Sequence, residues 1–213
     1  MFVCHMARAG VMVEQGKKIE LPSPTVMSEK PVETLLQQRR SIRSFRMGPL
    51  SLAEIGQLLW AAQGITDPQG MRAAPSAGAL YPLELYVVTG NVSGLPPAVY
   101  HYLPKTHHLI ETLEGDQRRM LARAALDQSW ISDAAAVVVF AAKYERTTRK
   151  YGKRGVRYVH MEVGHAGQNL FLQAEALDLA TVVVGAFHDD KVDKLLGLPD
   201  DIQVLSLMPV GKK

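Results

Sequence analysis

Three arginines fall within five positions, Arg39, Arg40 and Arg43, with Ser41 between them. A guanidinium stays charged at any relevant pH, so three of them cannot all be buried without partners. Planar forks beside a hydroxyl suit a phosphate, gripped by charge-assisted hydrogen bonds of about 1.5–3 kcal/mol each. The same residues would also serve as a solvated turn between two helices. A second stretch, Ala74-Pro75-Ser76-Ala77-Gly78-Ala79, is built of residues small enough to let backbone lie close against a flat ligand. A third, Lys143–Arg157, carries seven Lys or Arg with Tyr144 and Tyr151 interleaved. Its sharp reading is a phosphate or nucleic-acid patch, and its bland one a solvated connection of mixed helix and loop. No convincing nucleophile–base pair is visible. His160 and His165 are five apart, hence on different faces of a helix, which is wrong for two ligands to one metal.

A chain of 213 residues is long enough for one ample core and does not require two domains. At 47% hydrophobic and 21% charged it has an ordinary globular composition. Its net charge of +3 is compatible with an anionic ligand but does not by itself argue for nucleic acid. Cys4 is the only cysteine, which excludes a disulfide framework within the chain and fits a reducing compartment. No apolar run approaches the ~18–20 residues needed to cross a bilayer. The start, Met1–Val13, is interrupted by His5 and Arg8 and has no convincing signal-peptide core. A cytoplasmic protein is expected, with Met6 or Met12 as alternative starts.

The elements that must position these residues read as follows. Lys17–Met27, with Pro22 and Pro24, is an extended arm that must lie on something, a partner subunit being one choice. Val32–Gln38 is a short helix leading into the arginines. Ser51-Leu52-Ala53-Glu54 is a capping box opening a helix through Ile55, Leu58, Leu59 and Ala62, with Gly64 as its C-terminal cap. Thr66–Pro82 is a long loop, and loops of that length in a packed domain are usually functional or disordered. Leu83–Thr89 is a strand, Val99–Leu103 and His108–Leu113 a hairpin, and Asp116–Leu126 a helix. Ala134–Ala142 is apolar throughout, as for a strand buried on both faces. Tyr158–Leu177 is the longest helix. Gly164 and Gly167 inside it cost about 1 kcal/mol each relative to alanine and imply a closely approaching neighbour. Thr181–Val184 is a short buried strand ending at Gly185-Ala186, Asp189–Leu196 a helix and Val204–Val210 a last strand.

In this order the motifs resemble the nitroreductase superfamily, most closely its SagB-type dehydrogenase branch, from about Lys18 to Gly211. The anchors are the residues at 39–43, Pro-Ser-Ala-Gly-Ala-Leu-Tyr-Pro at 75–82, Tyr-Gly-Lys-Arg-Gly-Val-Arg-Tyr at 151–158, Gly-His-Ala-Gly-Gln-Asn-Leu at 164–170, Val-Gly-Ala-Phe at 184–187 and Pro-Val-Gly at 209–211. Each is weak alone; six in sequence are specific. The resemblance implies an α+β, nitroreductase-like fold with a central, mostly antiparallel sheet flanked by helices. It further implies an extended arm over 1–30, an FMN-binding domain over 31–213, and a homodimer with two FMN molecules at the subunit interface. By position, Arg39, Arg40, Ser41 and Arg43 would hold the FMN phosphate, ribityl chain and pyrimidine edge. Pro75, Ser76, Ala77 and Gly78 would reach the same flavin from the other subunit. Val183, Val184, Gly185 and Ala186 would lie along the ring near N5, donating backbone hydrogen bonds. The long helix would form much of the dimer contact.

A flavin carries the redox chemistry, so the protein need only fix the ring and leave one face open. The implied activity is hydride transfer from NAD(P)H to a nitroaromatic, quinone or similar small organic acceptor, with neither nucleic acid nor membrane as partner. Members of the SagB-type branch instead oxidise azoline rings in modified peptides and carry a Lys-Tyr pair as base, onto which Lys150 and Tyr151 would fall. Plain nitroreductases carry further basic residues beyond the Pro-Val-Gly strand to hold the phosphate. Here Lys212, Lys213 or the 143–157 run would have to substitute, or nothing does. A colourless phosphate or nucleic-acid binder built on the same arginines is the rival of a different class.

Overall fold

The strand formed by the apolar run 136–142 is buried at every residue, because it lies between two others with helices on both sides. A computed structural model describes residues 16–213. The expectations for Cys4, for Met1–Val13 and for the first half of the arm lie outside the described residues. Among these, nine strands form: β1 (Lys18–Glu20), β2 (Leu50–Ser51), β3 (Leu83–Thr89), β4 (Val92–Ser93), β5 (Ala98–Leu103), β6 (His108–Glu114), β7 (Ala136–Ala142), β8 (Leu179–Thr181) and β9 (Gln203–Lys212). Seven helices accompany them: α1 (Val32–Gln38), α2 (Leu52–Gln63), α3 (Arg118–Ala124), α4 (Ser129–Asp133), α5 (Glu145–Tyr151), α6 (Arg154–Ala176) and α7 (Asp189–Leu196).

Seven strands make one sheet in the order β1-β6-β5-β3-β7-β9-β8, every neighbouring pair antiparallel. Among the described residues the only parallel pair, β2 with β4, stands apart as a small second sheet. Alternation along β7 sends Ala136, Val138, Phe140 and Ala142 into one core, shared with Ile55, Leu58, Leu59 and Ala62 of α2 and Val159, Ala166 and Leu170 of α6. Val137, Val139 and Ala141 enter the other, with Leu121 of α3, Ile131 of α4 and Val192 and Leu196 of α7. The molecule is therefore α+β, a central antiparallel sheet with helices on both faces.

Local chemistry sets most element ends. Ser51 Oγ accepts from the Glu54 amide at 3.1 Å and Glu54 Oε2 accepts from the Ser51 amide at 2.8 Å, so the expected capping box is formed. Gly64 ends α2, but with φ −64° and ψ 149° rather than in the left-handed region. Glycine is needed there for closeness: a Cβ would sit 2.2 Å from Trp60 Cδ1. The helix expected over 116–126 stops at Ala124, because Leu126 and Asp127 are both left-handed, and a new short helix, α4, follows. The long helix starts at Arg154, four residues before its expected start. Gly152, at φ +56°, closes α5, and Gly155 lets α6 leave at once, since a Cβ there would collide with Thr148 Cα at 2.9 Å.

Within the chain the close approach to α6 is at Gly155, whereas the neighbour expected at Gly164 and Gly167 is the partner subunit. Gly164 is exposed with nothing of its own chain within 4 Å, and Gly167 meets only Met208 Sδ at 3.8 Å. Within the segment read as an arm, residues 18–20 pair with β6 at the sheet edge, and Thr25 exchanges hydrogen bonds with the Gln57 side chain. No helix among the described residues is long and apolar enough to cross a membrane.

Candidate active site

The chain leaves α1 in extended conformation at Arg39, and the Ile42 amide bonds Thr181 O at 2.9 Å. That bond lays residues 39–43 along the end of β8, beside 183–186. Arg39 spreads its guanidinium over the Phe171 ring at 5.0 Å, and Arg43 lies 5.7 Å from the Trp130 ring. Arg40 differs: its Nη1 donates to the carbonyls of Gln37 and Arg39, both at 2.8 Å, so it caps the end of α1. Ser41 is exposed. None of the three arginines meets a carboxylate among the described residues. Positive charge without a counter-charge, held over aromatic faces, is what an anionic ligand needs.

Beyond β8, Val184 is bound back into the sheet, its amide to Leu207 O at 2.8 Å and its carbonyl to the Leu207 amide at 2.9 Å. Val184 thus has no amide left to donate, unlike its neighbours. The amides of Val183, Gly185 and Ala186 have no partner among the described residues, and all three residues are exposed. Gln128 Nε2 donates to Ala186 O at 2.7 Å and fixes this turn. Arginines 39 and 43 and three unpaired amides therefore share one end of the fold.

The small-residue loop lies elsewhere. It makes a 3-10 turn over Ala77–Ala79, with Gly78, Ala79 and Tyr81 all left-handed at φ +65°, +52° and +47°. Left-handed backbone is rare outside glycine, and its clustering is a feature of ligand-binding loops. Four polar contacts hold it: Ser76 Oγ accepts from the Tyr81 amide (2.9 Å), Tyr81 Oη from the Arg72 amide (3.1 Å), Tyr81 O from Arg146 Nη1 (3.0 Å), and Arg72 stacks on the Tyr81 ring (4.7 Å). Arg146 also pairs with Glu84, which His101 Nε2 approaches at 2.7 Å. Burial alone would raise the Glu84 carboxyl, but His101 and Arg146 hold it below the usual range, so it stays ionised.

Lys150 and Tyr151 converge on this loop. A Cβ on Gly78 would stand 2.7 Å from Tyr151 Oη and 3.0 Å from Lys150 Nζ. Lys150 Nζ is 5.4 Å from the Tyr151 ring, whose edge meets Tyr158 at 5.1 Å. The rest of the basic run is divided. Lys143 pairs with Asp201, Arg146 with Glu84 and Arg149 with Glu145, while Lys150, Lys153, Arg154 and Arg157 meet no carboxylate among the described residues. Lys212 and Lys213 are both engaged, with Glu54 at 2.7 Å and Glu175 at 2.6 Å, and are poor stand-ins for a phosphate grip.

The two groups are far apart in one chain. Arg39 rests on Phe171 and Tyr151 on Tyr158, positions thirteen residues apart on α6, or ~20 Å at 1.5 Å per residue. Sequence reading did not single out the supports of the loop: Arg72, Glu84, His101 and, on the buried face of α6, Glu162. Glu162 did carry a signal, since it stands at helical spacing with Val159 and Ala166, both fully buried.

The nitroreductase family model matches residues 36–212. A nitroreductase-type protein of Methanocaldococcus jannaschii is 46% identical over 198 residues, covering 93% of this chain and 98% of its own. The microcin B17-processing protein McbC of Escherichia coli is 31% identical over 156 residues, 70% of this chain and 57% of McbC. The chain thus spans little more than half of that relative. A structure from Ralstonia eutropha JMP134, named as a nitroreductase, superposes with TM-score 0.82 at 26% identity, over 99% of this chain and 95% of that one.

Proposed function

The chain belongs to the nitroreductase family and is an oxidoreductase of that family; from that premise we propose that it binds FMN between two copies of itself and passes hydride from NAD(P)H to a nitroaromatic, quinone or similar acceptor. One observation carries this reading. Arg39, Arg43 and the unpaired amides of 183, 185 and 186 make half of an anion- and ring-binding site, and the small-residue loop that would complete it is ~14–20 Å away along α6 in the same chain. A second copy can bring that loop to the first copy's arginines.

The residues fit the group by their donor chemistry. Arg39 and Arg43 hold the phosphate and the electron-rich pyrimidine edge. The amides of Gly185 and Ala186 orient the ring, and exposed Val183 lies against it. Pro75, Ser76, Ala77 and Gly78 approach from the partner with no bulky side chain to obstruct the ring. Bound FMN supplies the two-electron redox chemistry. Arg40 acts through the backbone it caps. The test is Arg39→Glu, which replaces attraction by repulsion at the phosphate. It should purify folded but without flavin colour, whereas the wild type should be yellow; a mutant retaining a full complement of FMN overturns the assignment.

A second reading is favoured by one contact, that of Lys150 Nζ and Tyr151 Oη over Gly78. A base over that loop suits removal of a carbon-bound proton, as oxidation of an azoline ring in a peptide requires, and McbC is a peptide-processing relative. Reduction of a quinone or nitro group needs no carbon base. Anaerobic reduction of the purified protein by NADH or NADPH supports the first reading. Failure with both nucleotides, with reduction by an azoline peptide, supports the second.

A further inference from the structure

Glu162 is only 2% exposed and lies on α6 beneath the 72–81 loop. Its Oε1 has no hydrogen-bond partner, and Nε2 of Gln63 on α2 is likewise unpaired. A buried carboxyl near an arginine usually forms an ion pair, yet none forms here among the described residues. Arg72 instead gives Nη1 to Gln63 Oε1 at 2.8 Å. Burial is the main influence on Glu162 and lifts its pKa to about 7, opposed by the Ser76 hydroxyl, the Arg72 charge and Gln63. Arg72 ties this pocket to the loop, its amide donating to Tyr81 Oη and its guanidinium lying over the Tyr81 ring, and Ser76 Oγ accepts from the Tyr81 amide in the same strained turn.

We propose that Glu162 is a positioning residue for the 75–78 loop, acting through the Ser76 hydroxyl and Arg72, so that gain or loss of its proton sets how that loop meets its ligand. The proposal rests on the reading that this loop contacts FMN. With Glu162 neutral, the Ser76 hydroxyl proton is available to a ligand. With Glu162 ionised, that proton and the Arg72 guanidinium are drawn inward to the carboxylate, and the loop is pulled off its ligand-competent shape. The groups facing Glu162 are Gln63 from α2 and Arg72 and Ser76 from the loop. Behind Arg72 stand Glu84 from β3, Arg146 from α5 and Tyr81. On α6 itself, Tyr158 and His165 are one turn away to either side.

The test has two readouts. In apoprotein, amide hydrogen exchange over residues 72–82 is expressed as protection factors at about pH 6 and about pH 8.5. In the titrated protein, FMN affinity is followed by flavin fluorescence over the same range. Wild type should lose loop protection with rising pH, and its FMN affinity should weaken by up to about tenfold per pH unit above neutrality. Glu162→Gln keeps the shape but cannot ionise, so both profiles should be flat and match the acid wild type. Ser76→Ala removes the link and should also flatten the exchange profile. It decides the matter if Glu162→Gln does not fold. The proposal is overturned if the wild type shows no slope in exchange, or if either variant keeps the wild-type slope. If no variant or wild type takes up FMN, the flavin reading fails while the exchange measurement still judges Glu162.

Discussion

One methyl group added at Gly78 tests whether Lys150 and Tyr151 close over the loop. Gly78 has φ +65° and ψ +20°, where an L-residue costs roughly 1–2 kcal/mol more than glycine. The new Cβ would also lie 2.7 Å from Tyr151 Oη and 3.0 Å from Lys150 Nζ, both inside contact distance. Lys150 is exposed and can swing away. Tyr151 is half-buried with its ring against Tyr158, so moving it sacrifices an aromatic pair worth about 0.5–1.5 kcal/mol. Gly70 provides the control. It has φ +88° with nothing within 4 Å, so Gly70→Ala meets the backbone cost without the contact. Gly78→Ala should therefore lose about 0.5–1.5 kcal/mol more than Gly70→Ala, a further drop of roughly 1–6 °C in Tm. Urea midpoints and thermal melts of both variants, in wild-type and Tyr151→Ala backgrounds, make a double-mutant cycle. Equal losses in the two glycine variants, or an excess that survives Tyr151→Ala, would refute the placement of this pair over the loop.

Glu162→Gln should change the pH dependence of stability. The folded carboxyl holds its proton up to about pH 7 while the unfolded one releases it near 4.5, so the folded state binds more protons between these values and wild-type stability falls as pH rises through them. The variant should gain on the wild type by roughly 3 kcal/mol across that window, measured by urea titration; a constant difference from pH 4.5 to 8 refutes it. Gly164→Leu meets nothing in its own chain, so an isolated subunit should keep its fold, while overpacking of a subunit contact by about 1–3 kcal/mol should remove dimer and flavin together. Sedimentation with absorbance detection checks this, and monomers with stoichiometric flavin would contradict it. Lys150→Ala and Tyr151→Phe should leave FMN binding and quinone reduction within a few-fold of wild type and abolish any ring oxidation. A large loss of quinone reduction in both variants would show that the pair serves the reductase chemistry too.

What the sequence determined is whatever depends on neighbours in the chain. The helix Val32–Gln38, the capping box at Ser51 and Glu54, the strand Leu83–Thr89 and the helix Asp189–Leu196 were legible because periodicity, caps and turn residues act over a few positions. The family was legible for the same reason, since its motifs are short strings in a set order. Tertiary structure decided what depends on residues distant in sequence. It separated Arg40, which caps its own helix, from Arg39 and Arg43, which rest on Phe171 and Trp130. It withdrew the Val184 amide into the sheet through Leu207 while leaving those of Val183, Gly185 and Ala186 unpaired. It brought Lys150 and Tyr151 over Gly78, and it buried Glu162 under Ser76 without an ion pair. Desolvation and close approach are set by which surfaces pack together, and a linear spacing carries no record of the chain that will lie across it.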